Sequence, residues 1–242
     1  IKLQPWVKIN MKIHRFIGGF KVEPGDLELQ DKELLNQFRS VLKLKVGEKI
    51  ILCDGKINEG VAEIKAYGKD YIEVEIQEVS MNKNEPVRGV ILYCSILKRE
   101  NFELVVQKAT EIGVKEIVPV ITERTVKLNV RQDRLEKIVK EAAEQSGRGI
   151  VPILHDPIDF EKAIGNLAKN SLNILFDSSG GSFSSLITNN YELVTIFIGP
   201  EGGWTSEEIK VAKTTSFNVV SLGKTTLRAE TAAIIGTYLA IH

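Results

Sequence analysis

VVSLGKTTLRAETAAIIG, residues 219–236, runs from a β-like apolar stretch through Gly-Lys-Thr into a helix-like run. Nucleotide-hydrolysing enzymes use that order of strand, Gly-Lys-Thr and helix, but their phosphate loop needs another glycine five residues before the Gly-Lys pair. That position is Asn218, and no upstream glycine loop has the required spacing. What the stretch does carry is Arg228 and Glu230, where the chain passes from strand to helix. Alone they amount to a surface ion pair of little energetic consequence. Their meaning depends on what the neighbouring strands bring.

Working outward, strands and helices alternate from residue 88 onward. VILYCSIL (90–97), EIVPVI (116–121), LNILF (172–176), VTIFI (194–198) and NVVSL (218–222) read as strands. Such alternation predicts an α/β domain with a parallel sheet covered on both faces. Residues 131–146 fit a covering helix. Leu135, Ile138, Val139, Ala142 and Ala143 form its apolar stripe, Gly147 ends it, and Asp133–Lys137 and Glu136–Lys140 are i,i+4 pairs on the other face. Upstream the pattern is short strands and turns. In YIEVEI (71–76), Ile72, Val74 and Ile76 face one way and Glu73 and Glu75 the other. Only KELLNQFRSVLKL (32–44) reads as helical there. The expected organisation is an N-terminal extension at 1–11, before and including Met11, then a small β-barrel at 12–82. A polar linker around 80–89 follows, and the α/β domain occupies 88–242.

Bulk properties narrow the class. Hydrophobic residues are 43% of the 242, enough for sizeable cores, and 32 basic residues balance 32 acidic ones. A nucleic-acid surface would therefore have to arise by local clustering. Cys53 and Cys94 match no metal or redox spacing and read as buried, reduced thiols of a cytoplasmic protein. No run approaches the ~20 apolar residues of a membrane span, and no export signal is recognisable. His14, His155 and His242 suggest no metal site, and His155 has no partner at a recognisable spacing.

In open parallel sheets, ligands bind at the carboxyl ends of strands. Three such ends carry small or polar residues: DSSGGS (177–182), GPEGG (199–203) and GKTTLRAE (223–230). In the second, Thr205 and Glu208 form a capping box and Trp204 with Ile209 a hydrophobic staple. Helix initiation thus accounts for 204–209 but not for Pro200-Glu201-Gly202-Gly203. Adjacent glycines are an entropic liability unless unusual dihedrals or close contact are needed, and the nearby amides favour an anionic Glu201. Together the loops predict a cofactor pocket.

IGPEGGWTSEEI (198–209) followed by VSLGKTTLRAETAA (220–233) resembles the signature of the SPOUT class of S-adenosylmethionine-dependent RNA methyltransferases. VVQKATEIGVKEIVPVITERTV (105–126) and EAAEQSGRGIVPIL (141–154) resemble, more narrowly, the ribosomal RNA small subunit methyltransferase E family. HRFI (14–17) and VLKLKVGEKIILCDG (41–55) resemble its PUA-like barrel. Ile17 stands where that family often has phenylalanine, and Lys43 where arginine is frequent. The resemblance implies a homodimer with a deep trefoil knot in the C-terminal domain. It also implies methylation of uridine N3 in 16S rRNA of the small ribosomal subunit. Implied cofactor contacts are Leu175, Phe176, Ile198, Gly199, Pro200, Gly202, Gly203, Leu222, Gly223 and Leu227.

N3 lies on the pairing edge of uracil, so the base must be unpaired or flipped out. Arg228 is then the candidate to stabilise the uracil anion or hold its phosphate. Glu201 and Glu230 are rival proton acceptors, Glu230 the poorer because a helix N-terminus favours its charged form. For RNA the candidates are Lys12, Arg15, Arg39, Lys43 and Lys45 in the barrel, and Arg124, Lys127, Arg131, Arg134 and Arg148 beyond it. The competing readings are a non-catalytic RNA-binding dimer and a SPOUT enzyme acting on a ribose hydroxyl or on tRNA.

Overall fold

The computed structural model describes residues 13–19, 21–126, 130–167, 170–186 and 191–242. The chain divides into two units, Ile1–Lys83 and Asn84–His242.

The first unit holds β1 (His14–Ile17), β2 (Gly25–Leu29), α1 (Lys32–Asn36), β3 (Lys49–Cys53), β4 (Asn58–Tyr67) and β5 (Ile72–Met81). Its sheet runs β1-β3-β4-β5-β2, with only the β1–β3 pair parallel. Among the described residues β1 and β2 are edge strands with no ladder between them. The alternation in β5 sends Ile72, Val74 and Ile76 into the core, while Glu75 on the other face pairs with Lys65 at 2.8 Å. Asp31 caps α1 by accepting the Leu34 amide at 2.8 Å. The predicted single helix over 32–44 is instead α1 followed by a π-helical turn, Gln37–Val41. The wider turn seats Phe38, fully buried, 4.4 Å from Phe16, and Lys43, at φ +53°, leaves the helical direction.

The second unit is built from β6 (Gly89–Ser95), α2 (Arg99–Ile112), β7 (Glu116–Ile121), α3 (Gln132–Ser146), β8 (Ile153–Leu154), β9 (Ile158–Asp159), α4 (Phe160–Gly165), β10 (Leu172–Ser182), β11 (Leu193–Ile198), α5 (Ser206–Thr214), β12 (Asn218–Ser221) and α6 (Ala229–Ile241). The order is β12-β10-β11-β6-β7-β8, with β9 also beside β7, and every pairing is parallel. Both faces are covered, which is why the strands read as unbroken apolar runs. Val90, Leu92 and Cys94 of β6 join the core beneath α2, α3 and α6. Ile91 and Tyr93 of the same strand enter the opposite layer with Phe160, Phe197 and Trp204. There Tyr93 stacks on Phe197 at 4.4 Å.

Helix α6 buries mainly small residues, Ala229, Ala233, Gly236, Thr237 and Ala240, so it lies close on the sheet. A Cβ at position 236 would stand 2.9 Å from the Phe176 ring. Helix α3 buries Leu135, Val139, Ala142 and Ala143 and ends at Gly147, and Asp133 in its first turn pairs with Arg131 at 2.7 Å. Both cysteines are free and buried. Burial pushes the Cys53 thiol up to about 11 and also raises Cys94. Among the described residues no helix is long and apolar enough to cross a membrane.

Arg148, expected at an RNA surface, is 4% exposed. Its guanidinium donates to Glu85 at 2.8 Å and to the carbonyls of Thr110 and Val114 at 3.2 and 2.7 Å. It ties α2 and the chain after α3 to the start of the unit, and burial leaves it no access to a phosphate. Glu85 also accepts the amides of Gly149 and Ile150. Burial alone would raise its carboxyl pKa, but Arg148 and these amides outweigh burial and hold it below its ordinary 4.5. Removing one partner of a buried pair costs about 3–5 kcal/mol. Glu85→Ala should therefore lower unfolding stability by roughly 3 kcal/mol in urea titrations. A carboxyl with a lowered folded pKa stabilises above its unfolded value and loses that contribution as pH falls through the folded one. Wild-type stability should thus drop below about pH 4.5, and Glu85→Gln should blunt that drop.

Candidate active site

Strands β12, β10 and β11 are contiguous at one side of the sheet. Because they are parallel, their carboxyl ends bring 177–182, 199–203 and 222–228 to one edge. The first loop begins where β10 leaves the ladder after Phe176, and pairing with β12 resumes at Gly181. Asp177 accepts the Ser179 amide at 2.8 Å, shaping the turn. Gly180 is pressed onto the next strand: a Cβ there would lie 2.5 Å from the backbone N and Cα of Val220.

The second loop is the hub. Gly203 donates its amide to the Pro200 carbonyl at 2.8 Å, closing a turn that places Gly203 at φ +69°. Such a dihedral favours glycine. The predicted capping box is present: Thr205 caps α5 and Glu208 returns to the Thr205 amide at 2.7 Å. Buried Trp204 donates Nε1 to the Phe176 carbonyl at 3.0 Å, fastening this loop to the end of β10. Glu201 is exposed, and its Oε1 accepts the Lys98 amide at the start of α2 at 3.1 Å. Of the predicted cofactor contacts here, Gly199, Pro200, Gly202 and Gly203 belong to the loop, with Ile198 buried at its root. Leu175 and Phe176 are core residues on opposite faces of β10.

In the third loop Leu222 and Leu227 are half-buried and Gly223 is exposed. Arg228 stands at the N-cap of α6 with its side chain 86% exposed. Glu230 lies in the first turn, 12% exposed, with its Oε1 4.0 Å from Arg228 Nη1. A free guanidinium beside a sequestered carboxylate, on an edge lined by main-chain groups, suits binding and orienting a polar planar substrate.

The RNA methyltransferase domain family matches residues 83–240, and the RNA methyltransferase PUA domain family matches residues 38–77. A Rickettsia conorii protein named ribosomal RNA small subunit methyltransferase E is 33% identical over 93% of each chain. The Mesomycoplasma hyopneumoniae protein of that name is 36% identical over 67% of this chain and 73% of its own. The crystal structure of a Neisseria gonorrhoeae ribosomal RNA small subunit methyltransferase E bound to S-adenosyl methionine superposes with a TM-score of 0.87. It is 30% identical and the match spans 94% of this chain and 96% of that one. The chain belongs to the ribosomal RNA small subunit methyltransferase E family. It is an RNA methyltransferase.

Within this family member the predicted RNA contacts fall into distinct environments. Lys12 and Lys127 lie outside the described residues. Arg15, its side chain 11% exposed, donates to Glu59 at 2.6 Å and to the Cys53 sulfur at 2.8 Å, so an internal pair claims it. Arg39 donates to the carbonyls of Gly68, Lys69 and Tyr71 and lies over the Tyr67 ring. Arg134 grips Glu103 at 2.6 and 2.8 Å, and its hydrogen bond holds that carboxyl below the usual range. Arg131 is paired with Asp133 but more than half exposed. Lys43 and Lys45 are exposed, and among the described residues their side chains form no ion pair. Arg124 reaches into the glycine loop, donating to the Gly202 and Trp204 carbonyls at 2.7 and 3.3 Å.

Some contacts had no signature in the sequence. Glu208 spans from its own capping box to the Glu123 amide at 3.1 Å. Thr125 bonds the Ser95 hydroxyl at 2.8 Å at the end of β6. His155, expected without a partner, meets Glu116 at 2.9 Å through the β7–β8 register. Because the approach at Gly180 is backbone to backbone, Gly180→Ala cannot be relieved by a rotamer change. Overpacking of this kind costs about 1–3 kcal/mol, so thermal denaturation of that variant should show a clear loss of stability relative to Gly181→Ala, whose Cβ would meet nothing within 4 Å.

Proposed function

We propose that this protein transfers the methyl group of S-adenosylmethionine to N3 of a uridine in 16S ribosomal RNA, within the assembled small subunit of the cytoplasm. The observation that carries the reading is the meeting of three adjacent strand ends at one edge, fastened by Trp204 to Phe176. The similarity to the Neisseria gonorrhoeae structure with its bound S-adenosyl methionine points the same way. The donor set fits an adenosyl group: main chain dominates it, and at Gly180 and Gly203 the backbone comes close or turns as few other residues allow. Residues 198–203 and 222–227 would hold the cofactor, with Leu175 and Phe176 supporting them from the core. The cofactor supplies an electrophilic methyl on a sulfonium.

The chain's own work is orientation and charge. Arg228, exposed at the helix start, stabilises the anion that forms as N3 loses its proton. Glu201 and Glu230 are the candidate carboxylates to take that proton, and Glu201 already braces the loop against Lys98. The decisive experiment is transfer of labelled methyl from S-adenosylmethionine to small subunits lacking their normal methylations, followed by nucleoside analysis. Label in 3-methyluridine is expected; label only in ribose or in tRNA would overturn the assignment. Arg228→Ala should lower kcat on the order of 10²–10³-fold while cofactor binding persists, and wild-type turnover would remove Arg228 from the chemistry.

The proposed assembly is a homodimer through α6, whose apolar character extends to Ile235 and Tyr238, both exposed in the single chain. Tyr238→Asp should convert the dimer to monomer in sedimentation equilibrium. The last helix is further proposed to thread a loop of its own domain. Its return from edge strand β12 to lie over β11, β6 and α2 supports this. Pulling the chain by its ends should then leave a residual knot that shortens the unfolded contour.

A further inference from the structure

Arg124 reaches the glycine loop from the turn after β7, a strand that carries none of the three strand-end loops. We infer that it is a positioning residue for the cofactor, holding the Gly202–Trp204 backbone in its ligand-accepting shape, rather than a contact to RNA phosphate. The inference rests on the cofactor reading above. One nitrogen, Nη1, donates to the carbonyls of Gly202 and Trp204, which flank Gly203. Hydrogen bonds from a charged donor are about twice as strong as neutral ones. The stem packs on the same loop, since a Cβ at Gly202 would lie 3.4 Å from the Arg124 Cδ.

The base from which Arg124 reaches is itself braced. Thr122 donates its amide to the Thr125 hydroxyl at 2.9 Å, and that hydroxyl bonds Ser95 at 2.8 Å. The Glu123 amide is held by buried Glu208, whose other oxygen takes the Thr205 amide. Residues 122–125 and 202–208 are thus joined by two side-chain arms, one from each direction. With Nη1 committed to two loop carbonyls, the side chain is fixed towards the loop. Without it, a loop with two adjacent glycines regains conformational freedom, and ligand binding must supply the ordering.

The test is calorimetric binding of S-adenosylmethionine to the full-length protein, with steady-state kinetics and RNA affinity measured alongside. Arg124→Ala should weaken cofactor binding about tenfold and raise the cofactor KM to match, with kcat at saturation within about twofold and RNA affinity unchanged. Arg124→Lys, which keeps charge and stem but reaches fewer acceptors, should recover part of the loss. Wild-type cofactor affinity in Arg124→Ala overturns the assignment, as does a fall in RNA affinity alone. If the alanine variant does not fold, Arg124→Gln carries the same comparison. A wild-type protein that binds no S-adenosylmethionine would overturn the cofactor reading and this role together.

Discussion

Every strand of the second unit runs in the same direction, and the site depends on that constraint. A parallel neighbour cannot be reached by a hairpin, so apart from the step from β8 to β9, which lie in line beside β7, the connections need crossovers. All carboxyl ends therefore open on one edge. Three of them are contiguous, and they bring the loops at 177–182, 199–203 and 222–228, rich in small residues, to one edge. The Gly199–Gly203 loop is then fixed from three sides: Trp204 onto β10, Glu201 onto the start of α2, and Arg124 with Glu208 onto the turn after β7. Ties to three separate elements thus hold a loop that contains two adjacent glycines.

Charge is distributed along the same lines. A chain with equal numbers of acidic and basic residues presents no global field, and many arginines that look free in the sequence are internal fasteners. Arg15 holds Glu59, Arg148 holds Glu85 and Arg134 holds Glu103. Of the candidate site cations, Lys43 and Lys45 in the first unit, Arg131 beside α3 and Arg228 at the head of α6 are among those that stay exposed. Among the described residues the carboxylate that Arg228 meets is Glu230, at 4.0 Å and thus at the outer limit of an ion pair.

Strands β5, β6, β7, β10, β11 and β12, the capping box, the ends of α3 and the three glycine-bearing loops were legible in the sequence because local patterns determine them, whereas the short β2, β8 and β9 were not. Alternation in β5, two-sided apolar runs in β6 and β11, and the Thr205–Glu208 spacing all act within a few residues. The side-chain partners were not legible, because they come from far along the chain. Arg15 and Glu59 are 44 residues apart, Arg148 and Glu85 63, Arg124 and Gly202 78. Counting basic residues along a segment placed Arg124 and Arg148 at an RNA surface. Only the folded geometry distinguishes a cation that faces outward from one that clasps carbonyls. The π-helical turn at Gln37–Val41 was hidden for a related reason, since seating Phe38 against Phe16 is a tertiary demand on a helix whose local sequence favours a regular turn.

The bond from Arg88 to the Ala240 carbonyl joins positions 152 residues apart, and it bears on how such a chain emerges during synthesis. The central strand β6 appears early but gains its β11 neighbour only after β7, β8, β9 and β10 have been made, and its α6 cover only later still. Helices α2 and α3 are available earlier to cover part of that face, but the layer is complete only when α6 has docked, so the end of the chain must be free before this core can close.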